Sequence, residues 1–326
     1  MRIVALEEHF TIPSLIRRID PQVIANRGFP PGFSAVLEKQ LADIGAQRIA
    51  DMDEAGITMH VVSLGGPGAD LVEGNDGIAL AHDINDALAN AVAAHPDRLA
   101  GFAHLPMASP PAAADELERA VRDHSFCGAL INGLTDNCFL DHLRFEPILH
   151  RAEQLDVPIY VHPNLPPAPV RKAYYEGLPG NAGFTLSIAG WGWHSEVAIH
   201  VLRLALSGAL DRHPRLKLII GHMGEGLPAM LARCDQIFAR DVVHLKRSLS
   251  QTILDHVYVT TSGLFTLPPF EVALAVFGVD RVLFSIDYPY SSNRQGREFI
   301  DAVKLPCGDL EKVAHGNADR LLKLKS

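Results

Sequence analysis

Eight short apolar runs, each followed by a stretch of helical period, constrain this chain more than any other feature. The runs are 2–9 (RIVALEEH), 59–64 (MHVVSL), 99–105 (LAGFAHL), 127–132 (CGALIN), 158–162 (PIYVH), 216–222 (LKLIIGH), 257–262 (VYVTTS) and 281–287 (RVLFSID). They are short and rich in β-branched residues, as strands are. Helical patterns fill the intervals, for example over 37–56, 77–95, 111–124 and 195–208. Eight β-then-α units in 326 residues fit one (β/α)8 barrel domain spanning 1–326. A doubly wound open sheet is the competitor, but it usually carries a Gly-rich turn after its first strand. Here that strand ends in EEHF, with no GxGxxG near it. No internal repeat, low-complexity tract or linker interrupts the pattern.

Composition removes several classes of partner. The formal net charge of −9 argues against nucleic acid or an anionic membrane surface. No apolar run reaches the roughly 20 residues of a membrane helix, and no apolar signal region precedes the first strand. Cys127, Cys138, Cys234 and Cys307 show no CxxC spacing. Reduced thiols in a cytoplasmic protein are the expectation. A mean hydropathy of +0.10 is high for a chain so charged, and a homo-oligomer is expected.

Two connections are too long for plain βα loops: 11–36 after the first strand and 163–194 after the fifth. Long loops are usually functional, and both would emerge at the C-terminal mouth, where barrel enzymes work. The polar residues that close the strands point to the same place. They are Glu7 and His9, Asn132, His162, His222 and Asp287. Strand alternation puts Glu7 and His9 on one face and Glu8 on the other. Taken alone, VALEEHF is also what a solvated strand end looks like. Several metal-competent groups at one level of a barrel favour a shared cation instead. Carboxylate and imidazole donors suit Zn²⁺, Mn²⁺ or Fe²⁺.

The motifs VALEEHF, YVHP, GHMGEGLP, TTSG and FSIDYPY together resemble the amidohydrolase superfamily. Within it they resemble the decarboxylase branch related to aminocarboxymuconate semialdehyde decarboxylase, and the γ-resorcylate (2,6-dihydroxybenzoate) decarboxylases most. The resemblance covers nearly the whole chain. It implies a barrel binding one Zn²⁺ or Mn²⁺ through Glu7, His9, His162 and Asp287, and a homodimer or homotetramer. The first-strand pair is Glu-x-His, a departure from the superfamily's HxH. No lysine closes the fourth strand, where binuclear members carry a carboxylated one, so a single ion is implied. His222 would stand beside metal and substrate, with Glu225 orienting or charging it. The resemblance favours Asp287 as proton donor, with His222 polarising the phenol. Glu225 also fits a first-turn helix acid. Arg233 could meet a substrate oxygen or sit on a solvated helix face. Phe10, Trp191, Trp193 and Tyr288 could line a flat aromatic site or belong to the core.

The activity this implies is metal-dependent, non-oxidative decarboxylation of an ortho-hydroxybenzoate such as 2,6-dihydroxybenzoate. Two alternatives use the same residues. One is a metal-dependent hydrolase of a lactone or amide, in which His222 activates water. The other is a barrel that binds metal or an aromatic acid without turnover.

Overall fold

The computed structural model describes residues 1–29, 32, 35 and 37–324. Its strands are β1 (Val4–Phe10), β2 (Met59–Leu64), β3 (Leu99–Gly101), β4 (Ala129–Asn132), β5 (Pro158–His162), β6 (Lys217–Ile220), β7 (Val257–Thr260) and β8 (Val282–Leu283). All pairings are parallel, in the orders β1-β2-β3 and β4-β5-β6-β7-β8. A bridge between Ala103 and Ala129 joins the two sheets. The other seam, β8 to β1, closes through side chains as well as backbone. His9 N–H donates to the Tyr288 carbonyl at 2.7 Å, and Glu7 N–H to Ser285 Oγ at 2.7 Å. The buried Glu8 carboxylate accepts from the N–H groups of Ile286 and Tyr288, each at 2.9 Å. The result is the expected (β/α)8 barrel.

One long helix follows each strand: α1 (Ala46–Ala55), α2 (Gly74–Ala94), α3 (Pro110–His124), α4 (Glu146–Leu155), α5 (Gly192–Leu206), α6 (Leu227–Phe238), α7 (Leu267–Phe277) and α8 (Asn293–Ala302). In α2 the buried Leu80, Ala81, Ile84 and Leu88 form one stripe at helical spacing. Ser292 and Gln295 cap α8 reciprocally. The helical pattern read over 37–56 is two helices, Glu38–Ala42 and α1. Asp43 Oδ1 accepts from the N–H groups of Gly45 and Arg48, which ends one and starts the other. The long connections hold short helices, Pro13–Ile16 and Pro21–Ala25 in the first, Ala168–Tyr174 and Ala182–Ser187 in the second. Part of the first, at 30, 31, 33, 34 and 36, lies outside the described residues.

The barrel interior is packed by Val4, Leu6, Val61, Phe102, Tyr160 and Leu283, among others. Ala318, Leu321 and Leu322, from a helix near the C-terminal end of the chain, join this cluster. Ile3, Ala5 and Phe10 face the outer layer, among residues of the helices. Strict alternation from Val4 and Leu6 would turn Glu8 inward. β1 avoids this with a bulge: Ala5 pairs with His60 but Glu8 with Val62, one extra residue on β1. The phase shifts, so Glu7 and His9 point inward at the mouth and Glu8 goes to the seam.

Candidate active site

The mouth of the barrel gathers side chains from β1, β5, β6 and β8. Glu7, His9 and His162 offer ligand atoms that all lie within 4.8 Å of one another. His162 Nε2 is 3.5 Å from Glu7 Oε1, and the two imidazoles meet edge to face at 4.8 Å. Asp287 flanks this triplet, with Oδ1 3.2 Å from His9 Nε2. Tyr160 and Ser262 donate to Glu7 Oε2 and fix that carboxylate. Gly221, before His222, lets the chain pass close by: a Cβ there would lie 2.7 Å from Glu7 Oε2.

These residues fit a divalent cation. Glu7 Oε1 and His9 Nε2 are buried and have no hydrogen-bond partner among the described residues. An orphaned buried acceptor costs roughly 1–3 kcal/mol, so such atoms call for a ligand. Burial pushes His9 down to about 4, and burial together with His9 pushes His162 down to about 3. Both imidazoles are therefore neutral at pH 7, the form that binds metal. Asn132 rather than lysine closes β4.

A second group adjoins the first. His222 Nδ1–H donates to Glu225 Oε1 at 2.9 Å, and His194 Nδ1 lies 2.5 Å from Glu225 Oε2. The His194 and His222 rings meet edge to face at 4.8 Å. Burial alone would lower the His222 pKa, but the carboxylates of Glu225, Glu7 and Asp287 outweigh it and raise it to about 10. Burial opposes ionisation of Glu225, yet His222 and His194 bring it down to about 2. His222 is thus an imidazolium paired with a carboxylate. Its Nε2 faces Asp287 Oδ2 at 3.9 Å, and burial pushes Asp287 up to about 7. His222, Met223, Glu225 and Asp287 all take positive φ, at 47°, 56°, 58° and 69°. Each such backbone costs on the order of 1 kcal/mol and persists only where its surroundings enforce it.

Two cavities meet at His222, Asp287 and Tyr290. The larger, about 730 Å³, is walled by Trp191, His194 and Leu264. The smaller, about 410 Å³, is walled by Arg27, Asn132, His162 and Trp193. Asn132 therefore faces the site, and Trp191 stands at its rim, 59% exposed. Phe10 does not reach it, because the bulge leaves its ring in the outer core, 1% exposed. Tyr288 also turns away. Its hydroxyl donates to Asp51 Oδ2 at 2.6 Å, and its ring lies under the Arg48 guanidinium. Arg233 is exposed on α6 and lines neither cavity. Sequence reading missed Tyr160, Ser262, His194, Tyr290 and Arg27. Tyr160 had a signal, since it lies two residues before His162 on the same strand face. His194 stood inside GWGWHSE without a partner in sequence to give it meaning.

With this geometry, the comparisons place the chain. It belongs to the amidohydrolase family, whose sequence profile matches residues 31–324. It is 36% identical to γ-resorcylate decarboxylase of Rhizobium sp. (strain MTP-10005), over 98% of each chain. A solved structure of 2,6-dihydroxybenzoate decarboxylase complexed with 2,6-dihydroxybenzoate superposes with a TM-score of 0.89 at 35% identity, covering 99% of this chain and 100% of that one. The dihydroxybenzoic acid decarboxylase of Polaromonas sp. JS666, with manganese and 2-nitroresorcinol bound, gives a TM-score of 0.88 at 33% identity, covering 99% and 97%.

Proposed function

We propose that this chain is a metal-dependent, non-oxidative decarboxylase of an ortho-hydroxybenzoate such as 2,6-dihydroxybenzoate. The observation that carries this is the pairing of two unlike groups at one cavity. Glu7 with two neutral imidazoles, His9 and His162, and orphaned acceptors adjoins an imidazolium–carboxylate pair, with Asp287 between them. The relatives named above act on substrates of this kind. One divalent ion, Zn²⁺ or Mn²⁺, held by Glu7, His9, His162 and Asp287, would supply Lewis-acid stabilisation of substrate carboxylate and phenolate.

The protein's own residues do the rest. His222, charged by Glu225, donates a hydrogen bond to the phenolic oxygen and favours its oxyanion. Asp287, which lies between the cation-binding residues and His222, delivers a proton to the ring carbon that bears the carboxylate. That carbon becomes tetrahedral, and the ring takes dienone character. The bond to the carboxylate then breaks, its electron pair restores the aromatic ring, and CO₂ leaves. Asp287 regains a proton from solvent. The reading includes a single barrel domain, a cytoplasmic setting and a homodimer or homotetramer. The exposed Trp191 and Leu178 on the 163–194 loop support the oligomer.

Turnover in isotopic solvent tests the reaction. In D₂O the product should carry one deuterium at the carbon that lost CO₂. In H₂¹⁸O the aromatic product should gain no ¹⁸O through catalysis. Enzymatic ¹⁸O entry into an opened lactone or amide, with no CO₂ from any ortho-hydroxybenzoate, would establish a hydrolase instead.

A further inference from the structure

His194 takes no part in the proton transfers, yet both of its ring nitrogens are engaged beside them. Nδ1 lies 2.5 Å from Glu225 Oε2, and Nε2 lies 3.0 Å from the Ala189 carbonyl. A carbonyl only accepts, and Glu225 is held as a carboxylate, so each contact is a donation from the imidazole. The first contact reaches the residue that charges His222, whose Nδ1 occupies the other Glu225 oxygen at 2.9 Å. With one imidazole on each oxygen, the carboxylate has a single setting. The second contact closes the chain back on itself, five residues before His194.

That turn is tightly wound. Gly190 N–H donates to the Thr185 carbonyl at 3.0 Å, and the N–H groups of Trp191 and Trp193 both donate to the Ile188 carbonyl, at 3.1 and 3.2 Å. A Cβ on Gly190 would lie 2.7 Å from the Thr185 oxygen, and one on Gly192 2.2 Å from the Ser187 oxygen, so glycine is what lets the backbone pass this closely. Ala189 stands at the junction of the two cavities and lines both, as His222, Asp287 and Tyr290 do. Gly190 and Trp191 continue the wall of the larger cavity, and Ile188 and Trp193 that of the smaller. His194 thus joins this wall to the His222–Glu225 pair by hydrogen bonds.

We infer that His194 is a positioning residue with two separable jobs: Nδ1 sets Glu225 and through it His222, and Nε2 sets the Ala189 wall where the two cavities meet. The first job rests on the decarboxylase reading for the step that His222 serves. Without a donor at Oε2, Glu225 turns that oxygen to the larger cavity, and His222 loses its fixed direction toward the phenolic oxygen. The chemical step then slows while substrate binds as before. The second job belongs to binding. A wall released from His194 no longer closes the junction around the ring, and substrate is held less tightly.

Amide side chains separate the two jobs. The amide nitrogen of asparagine lies as many bonds from Cα as Nδ1 of histidine, and that of glutamine as many as Nε2. His194→Asn therefore keeps the donor to Glu225 and drops the one to Ala189, and His194→Gln does the reverse. His194→Phe drops both but keeps a ring edge to face with His222. In the metal-loaded full-length protein, His194→Gln and His194→Phe should lower kcat by about tenfold or more, the scale of losing an orienting partner. His194→Asn should keep kcat close to wild type and raise KM. Trp191 and Trp193 are the chain's two tryptophans, so acrylamide quenching of their emission reads the wall directly. Quenching should rise in His194→Asn and His194→Phe and stay at the wild-type level in His194→Gln. The ionised fraction of bound 2-nitrophenol, read from its absorbance, reports the His222 donor without turnover and should drop in His194→Gln and His194→Phe. A wild-type kcat in His194→Gln, or the same kcat loss in His194→Asn as in His194→Phe, would overturn the first job. Unchanged KM and quenching in His194→Asn would overturn the second. Parallel losses of kcat and melting temperature in all three variants would make His194 a fold-stabilising residue and overturn both. No CO₂ from any ortho-hydroxybenzoate, with the nitrophenol and quenching patterns as expected, would remove the decarboxylase and leave both jobs of His194 standing.

Discussion

His222 Nδ1 donates to Glu225 Oε1 at 2.9 Å, and this contact holds a charged imidazole where a neutral one is the rule for buried histidine. In metal-free protein the pair has a definite pH signature. The His222 pKa is raised from 6.5 to about 10, so its stabilisation is fully present below about pH 6.5 and is lost as pH rises through about 10. The Glu225 pKa is lowered from 4.5 to about 2, so its share is present above about pH 4.5 and lost as pH falls through about 2. The melting temperature of His222→Asn should therefore trail the wild type most between about pH 4.5 and 6.5. The gap should close towards pH 10 in calorimetric scans. A gap that does not change with pH would show that no charge resides on His222. The same variant should lower turnover by about 10²-fold or more, the scale of a lost acid–base group, while keeping most of its metal.

The two glutamates of β1 should behave as opposites. Glu7→Gln removes a carboxylate from the cation-binding group and should empty the site and abolish activity. Glu8→Gln should keep the metal and lower the melting temperature. Its amide offers one acceptor where Ile286 and Tyr288 each present a backbone N–H, and an orphaned N–H costs roughly 1–3 kcal/mol. Elemental analysis of both variants checks the assignment. Loss of metal from Glu8→Gln alone would mean that the inward face of β1 has been misjudged.

The metal itself is the third expectation. Purified protein should hold about one Zn²⁺ or Mn²⁺ per chain, and His162→Ala or Asp287→Ala should reduce that occupancy. Asp287→Asn should cost at least as much activity as His222→Asn and also disturb the metal. Active protein without any divalent ion, by mass spectrometric elemental analysis, would defeat the assignment.

Phe10→Ala should be a stability variant and not a substrate-binding one. The ring is buried in the outer core, and losing a buried Phe typically costs about 3–5 kcal/mol. Urea unfolding should show that loss, with KM unchanged in whatever fraction stays folded.

Light scattering at micromolar concentration should find a dimer or tetramer. Trp191, Tyr174 and Leu178 on the 163–194 loop are exposed, at 59%, 74% and 46%. Tryptophan is enriched at interfaces. A monomer would leave these side chains unexplained.

Much of this was legible in the sequence, for reasons visible in particular residues. Strand ends were readable because six of the eight apolar runs stop at a polar residue, and a barrel brings such ends to one mouth. Glu7, His9, His162, His222 and Asp287 were singled out that way, and the structure brings them together. Phe10 and Tyr288 misled, because an aromatic beside a ligand looks like a pocket wall until its side-chain direction is known. The bulge in β1 could not be read, since a one-residue shift leaves no mark in composition. Arg27 and His194 were silent for a different reason. Their hydrogen-bond partners, Asn164 and Glu225, lie 137 and 31 residues away. No local pattern connects such pairs.

The Glu8 seam has a consequence for how the protein is made. Glu7 and His9 leave the ribosome before Asp287 and the N–H groups that Glu8 receives, which come about 280 residues later. Until that last segment emerges, β1 has one open flank and an acidic side chain with nothing to accept from. Chains stalled before residue 282 should thus be unable to retain metal, however complete their first seven strands. A circular permutant that joins residue 326 to residue 1 and opens the chain elsewhere would place both sides of the seam in one continuous stretch, and would separate the order of synthesis from the order of assembly.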